Sequence, residues 1–200
     1  MTNLAFLASH GGSNMQAIID AINSGRLDAN PVVVISNNSG SKALQRARNE
    51  NIPCYHISHQ THASSEEQDQ AILDILTRYN TDLVILAGYM KKIGEKILDA
   101  FRGRILNIHP ALLPKFGGKG MYGLKVHEAV LAAGESESGV SIHLVDEHYD
   151  HGPVLAQKKV PVLKDDTAES LADRVLKEEH KLYSDTIARI ISGDITLPGS

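Results

Sequence analysis

Leu4-Ala5-Phe6-Leu7-Ala8-Ser9-His10-Gly11-Gly12-Ser13-Asn14-Met15-Gln16-Ala17-Ile18-Ile19 is the stretch that decides the fold. The unbroken apolar run from Leu4 to Ala8 suits a strand buried on both faces, since neighbouring side chains point to opposite sides of a sheet. A glycine turn follows. From Asn14 to Asn23 the apolar positions Met15, Ile18, Ile19 and Ile22 recur at helical spacing, and Gly25 stops the helix. Strand, glycine turn and helix in that order are the opening unit of a parallel α/β sheet.

The same alternation continues outward from this unit. Val32-Val33-Val34-Ile35-Ser36 reads as a second strand, Asn37-Asn38-Ser39-Gly40 as a loop, and Ser41 to Glu50 as a helix. Pro53 to His56 is a short strand, and Ser64 with Glu67 offers a capping box before a helix carrying Ile72, Leu73, Ile75 and Leu76. Leu83-Val84-Ile85-Leu86-Ala87 and Ile105-Leu106-Asn107-Ile108 are further strands. Gly139 to Val145 and Val154 to Val162 read as a strand pair around a polar loop, and Thr167 caps a long last helix reaching about Ser192. The expected class is α/β, a mostly parallel sheet with helices on both faces, a β-hairpin extension and a long C-terminal helix. With no linker or repeat in view, residues 1–200 read as a single domain. In such sheets ligands bind beyond the carboxyl ends of the strands, which points to Ser9–Asn14, Asn37–Ser41, Gly88–Lys92 and His109–Gly123.

Composition narrows the function. The 200 residues are 42% hydrophobic, and 24 acidic against 20 basic residues leave a formal charge of -4. That balance disfavours binding to nucleic acid or to an anionic membrane. The single cysteine, Cys54, cannot form an internal disulfide. The N-terminal apolar run is too short for a signal peptide, and no run approaches the roughly 20 residues that span a bilayer, so a cytoplasmic protein is expected. Ten histidines raise the question of a metal.

Five segments carry candidate chemistry. Ser9-His10-Gly11-Gly12-Ser13-Asn14 sits at a helix N-terminus, where free N–H groups and close backbone approach suit a phosphate; equally, Ser13 or Asn14 could simply cap the helix. It is neither GxGxxG nor GxxxxGK[ST], so dinucleotides and nucleoside triphosphates lose support. Asn107 and His109 leave their strand on one side, an amide and an imidazole suited to an oxyanion or a proton; alone, a satisfied strand-end histidine is the plainer account. Asp146, His148, Asp150 and His151 could ligate a metal, could supply one carboxylate to a distant histidine, or could be a solvated hairpin loop. His56, His59 and His62 read as an exposed polar loop. Lys177-Glu178-Glu179-His180-Lys181 reads as a solvated helix face unless something turns one side chain inward.

Taken together, Asn107-Ile108-His109-Pro110-Ala111-Leu112-Leu113-Pro114-Lys115-Phe116 and Asp150-His151-Gly152-Pro153 resemble the folate-dependent phosphoribosylglycinamide formyltransferase family. Gly12-Ser13-Asn14-Met15-Gln16-Ala17, Leu86-Ala87-Gly88-Tyr89-Met90 and Glu179-His180 extend the resemblance over nearly the whole chain. It implies a Rossmann-like formyltransferase fold and transfer of a formyl group from 10-formyltetrahydrofolate, as co-substrate, to the amine of N1-(5-phosphoribosyl)glycinamide in purine synthesis, with no metal. It implies Asn107, His109 and Asp150 as the catalytic trio, with Asp150 raising the pKa of His109. Gly12, Ser13 and Asn14 would hold the ribonucleotide phosphate, and Glu179 the ribose. Met90, Lys91, Ile93, Asn107, Val145 and Asp146 would border the folate. A formyltetrahydrofolate deformylase with the same trio is the runner-up. Partners would be small molecules only, with the chain a monomer or homodimer. The chain departs from the family pattern at Ala111, usually Ser, at His10-Gly11, at the longer Phe116–Val126 segment with Lys125 for a common histidine, and at Leu176 beside Lys177.

Overall fold

The computed structural model describes residues 1–198. Its strands are β1 (Thr2–Leu7), β2 (Ala29–Ser36), β3 (Cys54–His56), β4 (Leu83–Leu86), β5 (Ile105–His109), β6 (Glu137–Leu144) and β7 (Val154–Pro161). Its helices are α1 (Ser13–Asn23), α2 (Lys42–Asn49), α3 (Ser65–Arg78), α4 (Glu95–Ala100), α5 (Leu124–Ala132) and α6 (Ala168–Ile191). The sheet order is β3-β2-β1-β4-β5-β6-β7. The chain divides into two compact units, one of Met1–Leu106 with the segment from Thr196, the other Asn107–Ile195.

In the first unit β1 pairs in parallel with β2 and β4, and β2 with β3. Leu4, Ala5, Phe6 and Leu7 are all fully buried. Because consecutive strand residues face opposite ways, both faces of β1 are covered, as its unbroken apolar run requires. The parallel register brings the carboxyl ends of β1, β2 and β4 to one edge. There Ala8 N–H donates to the Ile35 carbonyl (3.0 Å) and Ser9 N–H to the Gly88 carbonyl (3.0 Å).

In the second unit β6 and β7 form the expected antiparallel pair, from Glu137 opposite Pro161 to His143 opposite Val154. Gly152 closes their connection: a Cβ there would overlap the Leu144 carbonyl oxygen. Thr167 caps α6 through a full capping box with Ser170. Leu171, Val175, Glu179, Tyr183 and Ile187 form its buried stripe at four-residue spacing. Asp166 makes a bidentate ion pair with Arg174 (2.6 and 2.7 Å), which holds the Asp166 carboxyl well below the usual range.

Two helices escaped the sequence pattern. α4 has six residues, too few to display a period, and α5 begins inside the Phe116–Val126 segment that reads as loop because of its glycines. At Ser64 the cap is present, accepting from Glu67 N–H (3.1 Å), but the Glu67 carboxylate takes the N–H of Ala63 (2.8 Å) rather than that of Ser64. The box is thus shifted by one residue.

Candidate active site

The second unit gathers Asn107, His109, His143 and Asp150 into one cluster, through a hydrogen bond between Asn107 and His143 and the approach of both histidines to Asp150. β5 delivers Asn107 and His109, two residues apart and therefore on one side of the strand. β6 delivers His143. Asp150 comes from the β6–β7 connection in a left-handed conformation (φ 57°), which Asp tolerates better than most residues. His109 and His143 are buried, and the Asp150 side chain is only 11% exposed.

The hydrogen bonds dictate where protons sit. The Leu144 carbonyl lies 2.8 Å from His143 Nδ1. A carbonyl only accepts, so Nδ1 carries a proton, and the Asn107 amide nitrogen opposite Nε2 only donates, so Nε2 presents a lone pair. That lone pair accepts from Asn107 Nδ2–H (3.1 Å). The Asn107 amide is therefore oriented nitrogen-inward, with a second N–H free to donate. His109 Nε2–H donates to the Phe116 carbonyl (2.7 Å). Its Nδ1 stands 3.5 Å from Asp150 Oδ2, and His143 Nε2 stands 3.4 Å from Asp150 Oδ1. Gly118 N–H donates to Asp150 Oδ2 (2.9 Å). Phe116 also adopts a positive φ (55°), uncommon for a bulky residue, and it aims the carbonyl that His109 uses.

The electrostatics correct one expectation. Asp150 does push the His109 pKa up, but burial is the larger influence, and the net shift is downward. His109 is accordingly held neutral more than its neighbour's charge suggests. For Asp150, burial is again the largest single influence and acts upward. The contact with His143, the positive charge that His109 can take up and the Gly118 N–H together outweigh it and leave its pKa lowered. His127, on α5, is buried with no hydrogen-bond partner at Nδ1; burial and the proximity of His109 lower its pKa.

The other candidates fall as follows. In the first unit α1 begins at Ser13 with Gly12 as N-cap (φ 67°) and no side-chain cap, so neither Ser13 nor Asn14 serves as the N-cap. A Cβ on Gly12 would press on Ala43 (2.9 Å), which explains the glycine. Met90 is 43% exposed and Lys91 exposed, whereas the Ile93 side chain is buried. In the second unit Val145 is half-buried and Asp146 exposed, its carboxylate accepting from His148 N–H (2.8 Å). Glu179 lies on the buried stripe of α6, not on its solvated face. His148 and His151 pair their rings at 5.8 Å. Among the described residues no group of three His, Cys, Asp or Glu is arranged to hold a metal. His62 bonds the adjacent Thr61 hydroxyl in an exposed turn.

Sequence reading gave His143 no role. Its signal was available: in the β6 pattern it is the polar residue just before the strand's end. The backbone groups of Phe116 and Gly118 left no trace in residue identity.

A sequence model of the formyl transferase family matches residues 2–187. The chain is 47% identical over 184 residues to a chloroplastic phosphoribosylglycinamide formyltransferase of Vigna unguiculata, covering 92% of this chain and 59% of the relative. It thus spans about three fifths of that plant relative. It is 37% identical over 197 residues to a phosphoribosylglycinamide formyltransferase of Haemophilus influenzae, covering 98% of this chain and 91% of the relative. The crystal structure of glycinamide ribonucleotide transformylase 1 from Symbiobacterium toebii superposes with a TM-score of 0.92 at 38% identity, covering all of this chain and 92% of that one.

Proposed function

The chain belongs to the formyl transferase family, and from that premise we propose that it transfers the formyl group of 10-formyltetrahydrofolate to the amine of N1-(5-phosphoribosyl)glycinamide, releasing tetrahydrofolate in purine synthesis. The observation that carries the reading is the cluster in which His143 orients the Asn107 amide and Asp150 faces His109. The relatives named for this reaction support the choice of substrates.

The substrate amine attacks the formyl carbon, and the carbonyl oxygen becomes an oxyanion. The free Asn107 N–H donates to that oxygen. A preorganised donor of this kind is worth roughly 2.7–4 kcal/mol in the transition state. On substrate binding His109 takes a proton from bulk water at Nδ1, beside Asp150, and as a cation balances the developing charge, returning that proton to water as the intermediate collapses; its Nε2–H passes from the Phe116 carbonyl to the substrate oxygen. The attacking amine loses one proton, and the folate nitrogen gains one as its bond to the formyl carbon breaks. Asp150, ionised at neutral pH, holds the water that carries this proton. Gly12, Ser13 and Asn14 take the ribonucleotide phosphate at the uncapped start of α1. Glu179 takes the ribose. Met90, Lys91, Ile93, Val145 and Asp146 border the folate. The reaction needs no metal, because the formyl donor is already activated. The two units work as one formyltransferase domain, in the cytoplasm, as a monomer or homodimer with small-molecule partners only. None of the helices among the described residues is long and apolar enough to cross a membrane.

One assay tests the reading. Protein treated with chelator is given 10-formyltetrahydrofolate with and without glycinamide ribonucleotide. Tetrahydrofolate should appear only with the ribonucleotide. Equal rates without it would replace the transferase with a deformylase, and activity lost to chelator and restored by zinc would bring back a metal mechanism.

A further inference from the structure

In the first unit one buried hydroxyl joins the loops that leave β1, β2 and β4. Ser9 is fully buried. Its Oγ–H donates to Asn37 Oδ1 (2.5 Å), and its oxygen accepts from Met90 N–H (2.7 Å). The direction is unambiguous: an amide N–H only donates, so Ser9 must accept there and spend its single proton on Asn37. A chain from N–H through O–H to a carbonyl strengthens each of its links.

The glycine turn after Ser9 has separate anchors. Ala43 N–H donates to the His10 carbonyl (3.0 Å), and Arg46 Nε donates to the Gly11 carbonyl (2.9 Å). The backbone bond from Ser9 N–H to the Gly88 carbonyl also remains, so removing the Ser9 hydroxyl would free the chain from Met90 onward while Gly88 and the glycine turn stay held. A buried donor stripped of its acceptor costs more than the bond was worth, so the segment would move until Met90 N–H found another partner.

We propose that Ser9 is a positioning residue for formylfolate: it fixes the Met90 segment to the root of the glycine turn and so sets the folate border without touching either substrate. The inference rests on the reading of Met90, Lys91 and Ile93 as folate-side residues. It makes Ser9 selective, acting on one substrate although it stands next to the loop assigned to the other.

The test is a split in KM. Ser9→Ala should raise the KM for 10-formyltetrahydrofolate on the order of tenfold, the loss expected for one buried hydrogen bond, and leave the KM for the ribonucleotide unchanged. Amide hydrogen exchange should accelerate at Met90 and not at Ala43. Asn37→Ala, which removes only the group orienting the hydroxyl, should shift the folate KM in the same direction by less, and the double variant should be no worse than Ser9→Ala alone. Met90→Ala separates the two layers of the argument. If it raises the folate KM and Ser9→Ala does not, the role given to Ser9 is wrong. If neither variant moves it, the folate reading of the segment fails and the proposal with it. An equal rise in both KM values would make Ser9 a general structural residue and overturn the proposal. Should Ser9→Ala not fold, Asn37→Ala in its half-buried turn carries the same split, and a flat result there is decisive against the idea.

Discussion

Asp150→Asn isolates the charge of the proposed catalytic cluster while keeping its shape. The amide is isosteric, and its oxygen can still accept the Gly118 N–H that now reaches Asp150 Oδ2 at 2.9 Å. What disappears is a negative charge 3.5 Å from His109 Nδ1. The side chains are 5% and 11% exposed, so water screens the pair only weakly. At an effective dielectric of 20, a unit charge pair near 4 Å is worth about 4 kcal/mol. Rearranged water and the dipole of the new amide would return part of that, so a loss of 2–4 kcal/mol of transition-state stabilisation lowers kcat roughly 30- to 1000-fold. The His109 pKa, already lowered by burial, should fall further, because Asp150 is the largest influence raising it. Steady-state kcat at saturating substrates checks the first effect. Proton NMR titration of the His109 ring checks the second, with the melting temperature as a control for folding. A folded variant with kcat within about threefold of the parent, or a His109 titration that does not move, would refute the reasoning.

Ser13→Ala should raise the KM for the ribonucleotide by roughly tenfold, the value of a hydrogen bond to a charged group, with kcat nearly unchanged; an unchanged KM removes Ser13 from the phosphate site. Stability should fall on acidification. His109 and His127 have lowered pKa values, so below the ordinary histidine value of 6.5 the unfolded chain binds protons that the folded chain resists. Asp150 adds a second loss as the pH falls below its ordinary 3.8. Urea unfolding at pH 7.5 and 5.5 should show the first loss, and His109→Gln should reduce it; an identical pH dependence in that variant would exclude His109 as a source. Gly152→Ala should cost about 1–3 kcal/mol of stability as the hairpin shifts to relieve the overlap with the Leu144 carbonyl, and it should lower kcat more than either KM, since that hairpin carries Asp150; a normal kcat would show that Asp150 tolerates the shift.

The α/β architecture is written in local pattern. Apolar runs such as Leu4–Ala8 and Leu83–Ala87 have one physical solution, a strand covered on both faces, and the described strands fall within a few residues of those runs. Helices with a buried stripe, such as α6, show their period. α4 and α5 were illegible for opposite reasons. α4 is too short for a period to repeat, and α5 turns His127 inward where an apolar residue would have marked the stripe.

The site was legible in part, and the division has a cause. Asn107 and His109 are two residues apart on one strand, so their shared direction follows from the pleat alone. His143 reaches them through the placement of β6 beside β5, and Asp150 through the β6–β7 connection and its left-handed turn, none of which a local pattern encodes. Naming Asp150 therefore depended on family resemblance. The protonation of His109 was harder still. Sequence offers the carboxylate that raises its pKa but not the burial that lowers it, and burial is the larger influence. A carboxylate beside a histidine reads as a charged pair when only the two residue types are known. With both side chains almost out of water, His109 rests closer to neutral, and in the proposed reaction it gains from its charge mainly when an oxyanion appears to share it. A resting cation would spend its attraction on Asp150 before the substrate arrived. Interactions that are stronger in the transition state than in the ground state are the ones that raise kcat, and the burial of this pair is what reserves them.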